Sequence, residues 1–269
     1  MPSTFHLKSR DFAAKHAVTV SGQGESVVVL GNGFGTGQSC WAPLLPLLEP
    51  RHKVVRFDWA VGPEHFDSLR YAKFDGYVED LLTIVKTQAK GACTLIGHSM
   101  SAMIGMLAAK REPDLFRHIV MISPAPRYIR DEGYDAGFTR EEIDALLMAI
   151  GDDYLAWTAA FAPVAVGDPG KTGAIADFRA GLRAMRPDIA LTMAELLFTM
   201  DLRAELSDYR TPTTIIQPDA DPVVPVTIGA YLAARWPQAE LVVIESAGHA
   251  PHVTAPDKVG AILARVLAR

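Results

Sequence analysis

Cysteine is scarce in this chain: Cys40 and Cys93 are the two in 269 residues. That excludes a disulfide framework. Cys93 reads as a small buried strand residue and Cys40 as a reduced thiol near a loop. Long apolar runs are missing as well. None approaches the roughly 20 residues that cross a bilayer. Met1 to Phe12 is polar and mixed in charge, without the apolar segment of a secretory signal. No membrane association is expected, and a cytoplasmic location is. There is no basic tract, and the net charge is −5, so nucleic acid is excluded as a partner. Histidines and carboxylates are scattered without ligand spacing, so no metal is expected. Internal repeats and low-complexity tracts are also lacking.

What the chain has is apolar bulk: hydrophobic residues make up 49% and charged residues 21%. Such a chain can build one α/β domain with a sizeable insertion. Short strand-like runs recur at Val18–Val20, Ser26–Leu30, Lys53–Phe57, Cys93–Ile96, His118–Ile122, Thr213–Gln217 and Leu241–Ile244. Helical patterns at Tyr77–Lys86, Ala102–Lys110 and Lys258–Val266 separate several of them. This alternation implies a mostly parallel sheet flanked by helices. It breaks between about Pro124 and Tyr209, where only helical patterns occur. Thr139-Arg140-Glu141-Glu142 forms a capping box, and Gly151 is expected to stop the helix it opens. Asp153–Phe161, Ala174–Met185 and Pro187–Thr199 supply three more helices. The expected division is a core of residues 1–124 and 210–269 with a helical lid at 125–209, inserted between strands 6 and 7. Phe138, Trp157, Phe161, Phe178 and Phe198 make the insertion unusually aromatic. Two roles are open to them: packing of the insertion onto the core, or the walls of a pocket roofing Ser99.

The chemistry centres on Gly97-His98-Ser99-Met100-Ser101, between an apolar strand and a helix. A nucleophile elbow places a strained serine at the top of a parallel sheet in this context. Small residues on both sides let strand and helix approach closely, although Ser101 stands where the generic motif has a second glycine. The serine needs a base. Among eight histidines, His249 lies in a loop after the last strand, and Gly248 permits a tight turn presenting it. His252 reads as a loop histidine bonded to the backbone, and His98 as packed beneath the elbow. Asp219 and Asp221 both follow the strand Thr213–Gln217. Either suits a turn; Asp221 is favoured as the orienting acid and Asp219 as the turn residue. Oxyanion donors are expected from the backbone N–H of Met100 and from Phe34, in the loop Gly31-Asn32-Gly33-Phe34-Gly35-Thr36-Gly37. That loop lacks the third glycine of a dinucleotide fingerprint and the lysine of a P-loop, so no nucleotide cofactor is expected.

These stretches, with Pro126-Arg127-Tyr128, Phe161-Ala162-Pro163-Val164-Ala165-Val166-Gly167, Met185-Arg186-Pro187-Asp188-Ile189-Ala190-Leu191 and Gly248-His249-Ala250-Pro251-His252, carry a resemblance. The chain resembles the α/β-hydrolases that include the plant karrikin and strigolactone receptors and the bacterial stress regulator RsbQ. The resemblance runs along nearly the whole length. It implies a Ser99–His249–Asp221 triad, oxyanion donors at Phe34 and Met100, and a four-helix V-shaped lid. Substrate contacts from Phe34, Phe138, Trp157, Phe161, Phe178 and Phe198 are implied too. Ser101 matches the karrikin-receptor branch. Asn32 departs from the usual histidine of the oxyanion loop, and Asp58–Tyr77 is shorter than in the plant receptors. The implied activity is slow hydrolysis of a small apolar ester or butenolide-like lactone, coupled to ligand sensing. A stress-pathway phosphatase or other signalling protein is the implied partner. The rival readings are an ordinary metabolic esterase and a cofactor-free perhydrolase or C–C hydrolase on the same fold.

Overall fold

In the computed structural model, residues 11–134, 136–236 and 238–268 are described. Most of the N-terminal stretch Met1–Phe12, read above as lacking a signal, lies outside them. The apolar runs form β1 (Thr19–Ser21), β2 (Ser26–Gly31), β3 (His52–Arg56), β4 (Cys93–His98), β5 (Phe116–Ile122), β6 (Thr213–Ala220) and β7 (Ala239–Ala247). They make one sheet in the order β1-β3-β2-β4-β5-β6-β7. Only β1 runs antiparallel; the other pairings are parallel. Central β4 is buried at every residue, as expected for a strand covered on both faces. The crossover helices flanking the sheet are α1 (Phe74–Gln88) and α2 (Met100–Arg111).

The insertion consists of α3 (Arg140–Asp152), α4 (Tyr154–Val166), α5 (Thr172–Ala184) and α6 (Pro187–Thr199). It falls between β5 and β6, not between a sixth and a seventh strand. Among the described residues no strand precedes β1, so five strands come before the insertion and not six. Thr139 opens α3 with the complete capping box. Gly151, however, does not end that helix. The break comes at Asp153, which leaves helical geometry and caps the next helix by accepting from the Ala156 N–H at 2.9 Å. Helix α4 also runs beyond Phe161, through Pro163. It stops at Gly167, whose φ of 73° only glycine adopts easily.

The helices pair α4 with α5 and α3 with α6. The chain's crossings into and out of the insertion are tied by ion pairs: Arg127 to Asp201, and Arg203 to Asp131 at 2.9 Å. Helices α7 (Val226–Ala233) and α8 (Pro256–Leu267) complete the core. No helix among the described residues is long and apolar enough to cross a membrane.

Candidate active site

Ser99 sits between β4 and α2 with φ 52° and ψ −116°. A side chain there is strained, and the turn is held by the Ser99 N–H donating to the Ile122 carbonyl at 2.8 Å. Gly97 is required by the same turn: a Cβ on it would stand 2.7 Å from the Ser101 carbonyl oxygen. The strained serine is thus presented at the C-terminal end of the sheet, where open α/β sheets place their reactive groups.

His249 follows β7, and its Nε2 lies 2.9 Å from Ser99 Oγ. Its Nδ1 lies 2.9 Å from Asp221 Oδ2. The other oxygen, Oδ1, accepts from the Val223 and Val224 N–H groups at 2.8 and 2.9 Å. An acceptor-only carboxylate at Nδ1 puts the imidazole proton there. Nε2 is then left free to accept from the serine. All three residues are buried. The structure therefore brings Ser99, His249 and Asp221 together as a Ser-His-Asp triad. Asp219, expected in a turn, instead lies within β6 at the register shift between Pro218 and Ala220, and its side chain accepts from the Ser246 N–H of β7 at 3.0 Å.

The histidine loop is fixed from two directions. The His249 N–H donates to the Ala165 carbonyl of α4 at 2.7 Å. Gly248 has φ 86°, and a Cβ there would lie 2.0 Å from the Val166 carbonyl oxygen. From below, His98 Nε2 donates to the His249 carbonyl at 2.9 Å. This leaves His98 Nδ1 bare and buried without a partner. Burial, reinforced by the neighbouring His252 and His249 rings, holds the His98 imidazolium well below the usual range. His252 differs from expectation. It is fully buried, stacks on Trp41 at 4.4 Å, and neither ring nitrogen finds a hydrogen-bond partner. It is the second residue of the short helix Pro251–Thr254, and its ring is turned inward and not toward loop backbone. Burial and His249 push its pKa down to about 3.

The loop after β2 reaches over the serine. Gly33 lies so close that a Cβ would meet the His98 ring at 2.6 Å and Ser99 Cβ at 3.1 Å. The next ring, Phe34, meets Trp157 at 6.4 Å and Phe198 at 6.5 Å. Trp157 stacks on Phe161 at 4.9 Å, and Phe161 reaches Phe178 at 6.1 Å. Phe178 also lines a cleft of about 200 Å³ with Thr36, Cys40, Ala250 and Val253. Phe138 stands apart. It is half-buried, and its backbone pairs with Tyr128 and Arg130. A residue that sequence reasoning passed over is Tyr128. It is buried edge-on to Phe198 at 5.0 Å. Burial pushes its phenol pKa up, opposed by a hydrogen bond with Ser99. Its place in Pro126-Arg127-Tyr128 was the available signal. Among the described residues, no group of three or more His, Cys, Asp or Glu side chains is arranged to hold a metal.

The comparisons agree with this geometry. The chain is 40% identical over 93% of its length to a karrikin insensitive 2 receptor of Petunia hybrida, 94% of which is covered. A strigolactone esterase of Arabidopsis thaliana is 38% identical over 94% of this chain and 96% of its own. Among solved structures, a hydrolase from Oleispira antarctica superposes with a TM-score of 0.92 over 97% of both chains, at 28% identity. The model of the alpha/beta hydrolase family matches residues 27–262, and the chain belongs to that family.

Proposed function

We propose that the chain is a slow serine hydrolase of a small apolar ester or butenolide-like lactone whose occupied state is read as a signal. The single observation that carries the hydrolase reading is the strained Ser99 hydroxyl 2.9 Å from His249 Nε2. Ser99 Oγ attacks the carbonyl carbon while its proton passes to Nε2. Asp221 holds the imidazole and stabilises its charged form. The backbone N–H groups of Phe34 and Met100 take the oxyanion. Collapse of the adduct expels the alcohol, which takes the proton from Nε2. Water, deprotonated by the same nitrogen, then frees the acid and restores Ser99.

Residues 125–209 serve as the lid over a core of 1–124 and 210–269. Phe34, Trp157, Phe161, Phe178, Phe198 and Phe138 supply apolar walls to the ligand. The sensing half of the proposal rests on the receptor names among the relatives and on the aromatic insertion seated over the loops. A signalling protein, a stress-pathway phosphatase among the candidates, is the proposed reader of the lid. A cytoplasmic setting suits it, with Cys40 and Cys93 both free thiols.

The test is intact-mass spectrometry after incubation with aryl esters and butenolide lactones. Wild type is expected to gain an acyl mass on Ser99 or His249. Ser99→Ala is expected to lose both the serine adduct and turnover while keeping its fold. Undiminished hydrolysis by that variant would overturn the reading.

A further inference from the structure

Three departures noted in the sequence meet at one point beneath the oxyanion loop. Asn32 stands for a histidine, Ser101 for the generic glycine, and Trp59 lies in the shortened stretch Asp58–Tyr77. Trp59 Nε1 donates to the Asn32 carbonyl at 3.0 Å and lies 3.1 Å from Ser101 Oγ. Ser101 Oγ donates to the same carbonyl. One buried oxygen therefore receives two side-chain donors, which uses both of its lone pairs. The aim of the indole is fixed by packing, with Phe57 edge-on at 4.9 Å and Tyr77 edge-on at 5.4 Å. All of these groups are buried.

The loop above is braced by the same residue. Asn32 Nδ2 donates to the Thr36 carbonyl at 2.8 Å, closing the turn over Gly33, Phe34 and Gly35. Thr36 returns its N–H and its hydroxyl to the Gly33 carbonyl, at 3.3 and 3.0 Å. The peptide between Asn32 and Gly33 is planar, with C=O and N–H pointing in opposite directions. Pinning its oxygen downward therefore sets the tilt of the backbone that leads to the Phe34 N–H. The loop has little slack to absorb a change, since Gly33 is pressed against His98 and Ser99, and Gly35 against Leu182.

We propose that Trp59 and Ser101 are positioning residues for the oxyanion donor of Phe34, acting through the Asn32 carbonyl. The inference rests on the reading of Phe34 as a donor. A misplaced donor weakens the transition state and leaves ground-state binding alone. Trp59→Phe removes the N–H and keeps most of the ring. Ser101→Ala removes one oxygen, and carries the test if the first variant fails to fold.

With p-nitrophenyl acetate, each is expected to lower kcat about tenfold with KM within about twofold of wild type. The second readout is an aryl trifluoromethyl ketone. Ser99 Oγ adds to its carbonyl carbon, the hydroxyl proton passes to His249, and an oxyanion is left in the hole. Its affinity is expected to fall by the same factor as kcat/KM. The double variant is expected to be little worse than the weaker single one, because both act on one carbonyl. Unchanged kcat beside a lowered melting temperature, unchanged ketone affinity, or multiplicative losses would each overturn the proposal. Ser99→Ala assayed alongside separates the two readings. If it is inactive while Trp59→Phe and Ser101→Ala are fully active, the brace alone is overturned. If it is active, the hydrolase reading fails and the brace with it.

Discussion

At the scale of residues, the two aspartates at the end of β6 divide their work cleanly. Asp221 spends one oxygen on two backbone N–H groups and the other on His249. Asp221→Asn keeps the volume but presents an amide that disrupts the Nδ1–H tautomer. kcat on p-nitrophenyl acetate is expected to fall by about three to four orders of magnitude. Asp219→Asn, whose side chain accepts only from Ser246, is expected to stay within about threefold of wild type. A larger loss in Asp219→Asn than in Asp221→Asn would reverse the assignment. The aromatic residues answer to a different measurement. Trp157→Ala and Phe198→Ala remove rings that meet Phe34 and carry no proton. They are expected to raise KM about tenfold for bulky apolar esters while leaving kcat on an acetate ester nearly unchanged.

Elements carry the pH response. His98 and His252, on β4 and the short helix after β7, are buried and uncharged. In the unfolded chain each takes a proton below about pH 6.5. In the native state His252 does so only near pH 3, held there by burial and by His249. The unfolded state thus binds more protons across that interval. Stability is complete above about pH 6.5 and falls as pH drops, by on the order of 1 kcal/mol per pH unit for each imidazole. Urea melts between pH 7 and 4.5 are expected to show this slope, and His252→Phe is expected to flatten it. The strands, the elbow and the order Ser, Asp, His were legible in the sequence because each is written in a short window: an apolar run, a glycine spacing, a turn. The ends of α3 and α4 were less so, since Asp153 competes with Gly151, and Pro163 is tolerated by a helix that packs on α5. The Trp41–His252 stack and the meeting of Asn32, Trp59 and Ser101 were not legible at all. Each joins residues brought together only by the order of the strands in the sheet.

For the whole molecule, the prediction is one of tempo. An enzyme whose occupied state is the message gains little from fast release. Turnover of a butenolide lactone is expected on the order of one event per minute, against roughly 10 per second for a typical enzyme. Ligand is expected to raise hydrogen-exchange protection across the segment from Phe138 to Phe198. Rapid multiple turnover without such protection would assign the chain to ordinary ester metabolism. The seat of His249 has a last consequence. Its main chain hangs from the Ala165 carbonyl, and Gly248 leaves no room for a methyl group beside Val166. The insertion and the triad are therefore not interchangeable modules. A chimera that borrows residues 125–209 from a relative inherits a foreign socket for its own histidine, unless the last turn of α4 and Gly248 travel together. Recombination at the chain's two crossings would break what point substitution can refine.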